Sequence, residues 1–145
     1  MTIYTIGFTK KTAYQFFKLL QDNGIVKVID IRLNNKSQLA GFAKGGDLEY
    51  FLKCHGIGYE HDLSLAPTEE LRKRYNDKKQ KMTFADYTAC FLKLLEERKA
   101  IEPLVGKNLD KYCYLCSEGE ATECHRRLVV EAIRNGDKDI QIIHL

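Results

Sequence analysis

The sequence predicts an α/β fold, in which a mostly parallel five-stranded sheet carries helices on both faces in a three-layer, Rossmann-like arrangement. Strand-like runs alternate with amphipathic helical runs along the chain, which is the pattern of β-α-β units. Gly24, Gly56 and Gly136 each follow a helical run and precede a strand, where a left-handed residue ends a helix. The 145 residues suit one domain, predicted to span residues 1–145.

The first strand is predicted at Thr2 to Ile6, a run of β-branched and aromatic residues. Thr9 is then expected to cap a helix that runs to about Asn23, because its apolar positions recur at helical spacing. The second strand, Ile25 to Ile31, reads IVKVIDI. Such a nearly continuous apolar run indicates a strand that is covered on both faces.

The middle of the chain begins with a surface loop, predicted from Asn34 to Gly46 because this segment has little periodicity. A helix is expected from Asp47 to His55, followed by a short strand from Ile57 to His61. The charged segment from Pro67 to about Lys81 is predicted to be helical.

The last elements repeat the alternation. Thr83, with Asp86 three residues later, is expected to open a helix that ends near Lys99. The remaining predicted elements are a strand at Tyr112 to Cys116, a helix at Ala121 to Asn135 and a strand at Ile140 to His144.

Composition excludes several classes of protein. No apolar run approaches the roughly 20 residues of a membrane span, and no targeting segment is expected ahead of the first strand. The five cysteines are an odd number, which favours reduced thiols in the cytoplasm over a disulfide framework. The net charge of +3 is too small to indicate a nucleic-acid binder by itself. Membrane, secreted, fibrous and disordered classes are therefore not expected.

The reactive side chains are predicted to gather at one edge of the sheet. Ligands of parallel sheets bind at the carboxyl ends of the strands, where loops lead into helices. The residues expected there are Gly7, Thr9, Asp30, Arg32, His61, Cys116, Glu118 and His144.

The richest candidate stretch runs from Cys116 to Arg127 and reads CSEGEATECHRR. A thiol at a helix N-terminus can exist partly as the nucleophilic thiolate, which makes Cys116 and Cys124 candidate catalytic residues together with the neighbouring His125. Glu118 can move protons, and Arg126 can fork onto a phosphate or carboxylate. In the alternative interpretation Cys116 is a buried small hydrophobe, and Arg126 pairs with Asp30 or Glu118.

Metal binding is a weaker interpretation of the same stretch. Cys116, Cys124 and His125, with or without Glu118, are the right ligand types. Adjacent residues on a helix point about 100° apart, so Cys124 and His125 are not expected to share one ion. Cys113 and Cys116 lie three apart on a strand and point to opposite faces, so this pair is not expected to act together.

A second candidate group follows the second strand. Alternation along a strand puts Asp30 and Arg32 on the same face, where Asp30 can orient Arg32 towards a ligand or act as a general base. An ion pair that closes the edge of the core is an equally good interpretation. Asn34 and Ser37, in the following loop, are added as ligand-binding candidates.

The first strand-to-helix turn contributes backbone groups. Gly7 and Thr9 can bring N–H groups near an anion, although the single glycine is not a dinucleotide-binding fingerprint. The basic run from Arg72 to Lys81 could follow a nucleic-acid backbone. Acidic residues interrupt that run, so a solvated helix face is favoured.

Several blocks of the sequence resemble a known family, the domain of unknown function 488 family. They are Tyr4 to Thr9, Asp30-Ile31-Arg32 with Asn34 and Ser37, Gly56 to Tyr59, Cys116-Ser117-Glu118 and Cys124-His125-Arg126. The blocks stand in family order and span nearly the whole chain. The resemblance implies a small α/β domain whose signature residues are Asp30, Arg32, Cys116, Glu118, Cys124, His125 and Arg126, and it supplies no reaction.

The sequence thus favours a small cytoplasmic enzyme that acts on a phosphorylated or nucleotide-like ligand, free or within nucleic acid. Arg32 and Arg126 would hold the anion, Cys116 or Cys124 would contact or attack the ligand, and Glu118 or Asp30 would move protons. The alternatives are an anion- or nucleic-acid-binding module without turnover and a metal-binding domain. No cofactor and no oligomeric state is predicted.

Overall fold

The computed structural model of the chain describes residues 1–36, 40–117 and 121–145. Its centre is a sheet of five strands in the order β3-β2-β4-β1-β5, and every neighbouring pair is parallel. The strands are β1 (Thr2–Gly7), β2 (Lys27–Asp30), β3 (Gly58–His61), β4 (Tyr112–Cys116) and β5 (Gln141–His144). The predicted five-stranded α/β fold is confirmed.

Helices cover both faces of the sheet, as the sequence predicts. They are α1 (Ala13–Asp22), α2 (Gly45–Cys54), α3 (Glu69–Asn76), α4 (Phe84–Arg98) and α5 (His125–Gly136). Phe16 and Leu20 of α1 and Leu52 of α2 pack into one core with Leu115 of β4. The other face of the sheet packs against α3, α4 and α5 in a second core, which contains Leu71, Phe91, Tyr114 and Val129.

Alternation along β4 sends its two cysteines to different cores. Cys113 lies with α1 and α2, whereas Cys116 lies with α3, α4 and α5. The expectation that the two thiols point to opposite faces is confirmed. All five cysteines are free, and Cys54 is exposed.

The first helix begins later than the sequence prediction. Its N-cap is Thr12 rather than Thr9, and Thr12 and Gln15 form a reciprocal capping box with N–H···O distances of 3.2 and 2.9 Å. Thr9 instead lies in a turn in which Lys11 N donates to Phe8 O and Lys10 has a φ of 61°. The capping box predicted at Thr83 and Asp86 is confirmed.

The last helix also begins later than expected, at His125 instead of Ala121. Its N-cap is Cys124, whose φ of −133° and ψ of 139° are extended. The predicted surface loop from Asn34 to Gly46 differs as well, because α2 begins at Gly45 and Asn35 is buried. Gly45 N donates to Asn35 O at 2.7 Å, and a Cβ at Gly45 would collide with the Asn35 side chain.

In the described part of the chain, no helix is long and apolar enough to cross a membrane.

The position of the first cap is testable by substitution. Thr12→Ala is expected to lower the free energy of unfolding by about 1 kcal/mol, because it removes the acceptor for the Gln15 N–H. Thr9→Ala is the matched control and is expected to change it by less than about 0.5 kcal/mol. Urea denaturation of the two variants measures the difference. A larger loss in the Thr9 variant would place the cap where the sequence predicted it.

Candidate functional site

A pocket of about 360 Å³ opens at the carboxyl ends of β2 and β4, on the face covered by α3, α4 and α5. We call it the strand-end pocket. Its lining includes Arg32, Asn34, Arg72, Tyr75, Cys116, Cys124 and His125. Five of these seven residues are sequence-predicted site residues, and the structure therefore brings the two candidate groups of the sequence together around one cavity.

The Cys/Cys/His cluster, Cys116, Cys124 and His125, forms one end of this pocket. One potential ligand atom from each residue lies within 4.8 Å of the other two. Cys116 and Cys124 are 1% and 3% exposed, so both sulfurs are shielded from bulk water. The structure overturns the angular argument against a shared ion, because Cys124 precedes α5 in extended conformation and is not on the helix with His125.

Arg126 contacts the cluster at Cys116 and is completely buried. Its Nη1 donates to Cys116 Sγ at 3.4 Å and its Nε to Thr5 Oγ1 at 3.2 Å. A guanidinium at this distance favours negative charge on the Cys116 sulfur. The pairing of Arg126 with Asp30, which the sequence left open, does not occur, since Asp30 is bound to Arg32.

Cys124 differs from Cys116 in its electrostatic surroundings. The hydrogen bond of its thiol to Cys116, together with burial, raises the pKa of Cys124 far above the usual range. The nearby backbone N–H and charge of Arg126 lower that pKa only in part, and the N–H contact lacks the geometry of a capping hydrogen bond. Cys124 therefore stays a thiol, and Cys116 is the sulfur better placed to carry negative charge.

Asp30 and Arg32 form a buried ion pair at the end of β2. Arg32 Nε and Nη2 donate to the two Asp30 carboxylate oxygens at 2.8 and 2.7 Å. Tyr59 OH donates to Asp30 Oδ2 at 2.6 Å, and Asn35 Nδ2 donates to that hydroxyl. Both oxygens of Asp30 thus accept hydrogen bonds, so its contact geometry is that of a positioning residue for Arg32.

One nitrogen of Arg32 is left over. Arg32 Nη1 is buried and has no hydrogen-bond partner among the residues that the structure describes. The guanidinium also lies over the Phe8 ring, 5.4 Å from its centroid, and lines the strand-end pocket. Buried donors without a partner are rare in folded proteins, and a charged one indicates a place for an anionic acceptor.

His125 is held as a neutral imidazole. Its Nε2 lies 2.9 Å from Ile31 O, and its ring packs edge-on against Phe91. Burial, and after it the charge of Arg126, lowers the pKa of His125 to about 4. Because the carbonyl can only accept, Nε2 is the protonated nitrogen and Nδ1 has its lone pair available.

The remaining predicted residues are placed as follows. Gly7 pairs with Cys116 across the sheet, and Thr9 N donates to Ser117 O at 3.2 Å. This bond occupies the Thr9 N–H that was expected to face an anion. Asn34 lines the strand-end pocket. Ser37 and Glu118 lie outside the described residues.

The sequence interpretation missed Thr5, Tyr59 and the pocket role of Arg72. Tyr59 belongs to the block Gly56 to Tyr59 that resembles the family, and the sequence indicates Arg72 only as part of a basic run. Beyond Arg72, that run contributes Tyr75 and Asn76 to the pocket, and the remaining charges of the run are exposed, as expected for a solvated face.

A larger groove of about 1010 Å³ runs along α1. It is lined by Thr9, Tyr14 and surface lysines, and it contains no member of the Cys/Cys/His cluster. Volume alone does not identify a functional site, and the strand-end pocket has the convergent polar groups expected of one.

The fold and pocket define an all-parallel α/β domain with a Cys/Cys/His cluster, whose two cysteines are buried, and two buried arginines at one edge of its sheet. The chain belongs to the family called Domain of unknown function DUF488, whose model matches residues 12–133. The matched segment includes Asp30, Arg32, Cys116 and the Cys124-His125-Arg126 block, and the family resemblance is confirmed. No curated protein and no solved structure matches the chain.

The buried ion pair leads to a stability prediction. Asp30→Ala is expected to cost about 3–5 kcal/mol of unfolding free energy, because it leaves the Arg32 charge buried without its partner. Tyr59→Phe removes one hydrogen bond to the same carboxylate and is expected to cost about 1–2 kcal/mol. Chemical denaturation measures both. A loss below 1 kcal/mol in Asp30→Ala would show that Arg32 reaches solvent.

The lowered pKa of His125 predicts a pH dependence. Between pH 6.5 and 4 the unfolded chain binds a proton at His125 that the folded chain does not, so stability falls as the pH falls. The expected loss is about 2–3 kcal/mol by pH 4. The free energy of unfolding of wild type and His125→Gln is measured against pH in a chelator. Both proteins contain the same carboxyl groups, so the difference between the two curves reports His125. Parallel curves for the two proteins would contradict the prediction.

Proposed function

We propose that the chain is an enzyme that acts on a phosphorylated or nucleotide-like ligand, free or within nucleic acid, bound in the strand-end pocket. The observation that carries the proposal is the buried, unpartnered Nη1 of Arg32 in the lining of that pocket. An anionic oxygen would supply the acceptor that this nitrogen lacks among the described residues. A cavity of about 360 Å³ is of the size that small-molecule ligands occupy.

Two arginines in the pocket lining, one buried and one exposed, support anion binding. Arg32 is fixed by Asp30, so little side-chain entropy is lost when it binds a ligand. Arg72 is exposed on α3 and lines the same pocket. An anion that contacts both arginines would receive charge-assisted hydrogen bonds, which are stronger than neutral ones.

Aromatic and amide side chains support a nucleotide-like ligand. Tyr75 and Tyr87 line the pocket with their ring centroids 4.8 Å apart. A base stacked on such a ring gains about 1–3 kcal/mol. Asn34 and Asn76 also line the pocket and offer both donors and acceptors to a base or sugar.

The Cys/Cys/His cluster supports an enzyme over a passive binding site. It places a sulfur that favours negative charge, a protonated thiol and a neutral imidazole at the end of the pocket where the ligand would lie. These are groups that attack, transfer protons or bind metals. The roles proposed for Glu118 as proton carrier and for Arg126 as anion holder remain sequence-based; Arg126 is engaged with Cys116 and Thr5.

Arg72 provides the test, because it is exposed and its loss is compatible with folding. Arg72→Ala is expected to weaken the binding of adenosine monophosphate by about tenfold or more, the effect of one charge-assisted hydrogen bond. Isothermal titration calorimetry measures the affinity. Arg74→Ala is the matched control, because Arg74 lies on the same helix but lines a different cavity.

The probes also decide between the forms of the proposal. Inorganic phosphate, adenosine monophosphate and a short single-stranded oligonucleotide are compared for affinity and, by mass spectrometry, for conversion over time. Binding without conversion of any probe would favour the binding module without turnover. Absence of binding by all three, or equal losses in the Arg72 and Arg74 variants, would overturn the proposal.

A further inference from the structure

We propose that Cys116, Cys124 and His125 bind one zinc ion whose open coordination position faces the strand-end pocket. The inference deepens the proposed function, because it names the chemistry at the reacting end of the pocket. It rests on that function only for the ligand that would meet the ion.

The spacing of the three ligand atoms is close to that of a tetrahedral site. Zinc bonds of about 2.3 Å to sulfur and 2.0–2.1 Å to nitrogen put neighbouring ligand atoms about 3.5–4 Å apart. The three atoms here lie within 4.8 Å of one another. A side-chain movement of about 1 Å or less would therefore complete the site.

Each ligand is already held by a neighbour of the kind that supports metal binding. Ile31 O accepts the Nε2 proton of His125, which leaves the lone pair of Nδ1 available to a metal. Arg126 donates to Cys116 Sγ, and its backbone N–H lies by Cys124. Such contacts orient the side chains and stabilise thiolate sulfur, so the site needs little reorganisation to bind an ion.

A divalent ion would also relieve the repulsion between the two sulfurs. Two buried thiolates repel each other, and the Arg126 guanidinium beside Cys116 offsets only one of the two negative charges. Zinc binding releases the thiol protons and places a cation between the sulfurs, and a neutral imidazole needs no deprotonation.

The composition and location of the cluster indicate a reactive zinc site. Soft sulfur with imidazole is the ligand set that zinc prefers, and three protein ligands leave a position for water or substrate. All three residues line the pocket, and so does Arg32, whose Nη1 has no hydrogen-bond partner among the described residues. In this arrangement Cys116 would be a zinc ligand, and the anionic ligand of the strand-end pocket would lie at the open position of the ion.

Cobalt titration tests the site directly. The protein is reduced, treated with a chelator, desalted and titrated with Co²⁺, whose tetrahedral thiolate complexes absorb in the visible and near-ultraviolet. One equivalent of Co²⁺ is expected to give sulfur-to-cobalt charge-transfer bands for two thiolates, and one equivalent of Zn²⁺ is expected to abolish them. Protein purified without chelator is expected to contain zinc by elemental analysis.

Two variants and one control assign the ligands. Cys124→Ser and His125→Gln are each expected to weaken cobalt binding by more than about 100-fold, since outer-shell partners alone are worth 10- to 100-fold. Cys54→Ser is the matched control, because this cysteine is exposed and outside the cluster. Circular dichroism shows whether the variants fold. The charge-transfer intensity counts thiolates in the wild-type protein, so the test does not depend on either variant.

Absence of these bands in the reduced wild-type protein would overturn the inference, as would binding that is unchanged in both folded variants. Rapid formation of a Cys116–Cys124 disulfide without metal uptake would assign the cluster to thiol chemistry instead. Nucleotide binding in chelator, with its dependence on Arg72, is measured separately. Zinc binding without nucleotide binding would support the metal site and contradict the proposed function. Nucleotide binding without zinc binding would support the proposed function and contradict the metal site.

Discussion

The contacts of one buried side chain, Arg126, connect the elements that meet at the carboxyl ends of the central strands. Its guanidinium runs from α5 to Thr5 on β1 and to Cys116 on β4, and Thr5 in turn lies 2.6 Å from the ring nitrogen of His144 on β5. A fully buried charge must be stabilised by its neighbours, or the fold cannot tolerate it. The positions of the helix N-terminus, the sulfur and the central strands are therefore coupled through this one group.

The two buried arginines at this edge are balanced differently, and this difference shapes the site. Asp30 neutralises Arg32, which leaves Arg32 rigid and one of its nitrogens unsatisfied among the described residues. The described partners of Arg126 are the Thr5 hydroxyl and the Cys116 sulfur, and its positive field adds to burial in lowering the pKa values of Lys11, His125 and His144. The charge of Arg126 thus favours the neutral forms of the bases around it, whereas Arg32 presents to the strand-end pocket a nitrogen that lacks a partner among the described residues.

The alternation of strands and helices was predictable because parallel strands covered on both faces leave a continuous apolar signature. Gly24 and Gly56 have positive φ, as left-handed positions require, whereas the same prediction for Gly136 is wrong, since α5 includes Gly136 and its φ is not positive. Helix starts were less predictable: the sequence pattern favours Thr9 as the cap of α1, whereas a turn at Lys10, with positive φ, moves the cap to Thr12. The start of α5 had the same difficulty. Helical spacing predicts that Cys124 and His125 cannot share an ion, because nothing local in the sequence shows that Cys124 is extended.

The location of the pocket follows from the sheet topology more than from any single residue. The connections that leave β1 and β2 pass into α1 and α2 on one face, whereas β4 lies between these strands and leads into α5 on the other face. A crevice opens where neighbouring strands send their connections to opposite faces. The end of β4 has such a neighbour on each side. A cysteine at that point lies close to groups from both flanking strands. Cys116 therefore contacts Arg126 and also lines the strand-end pocket with Arg32.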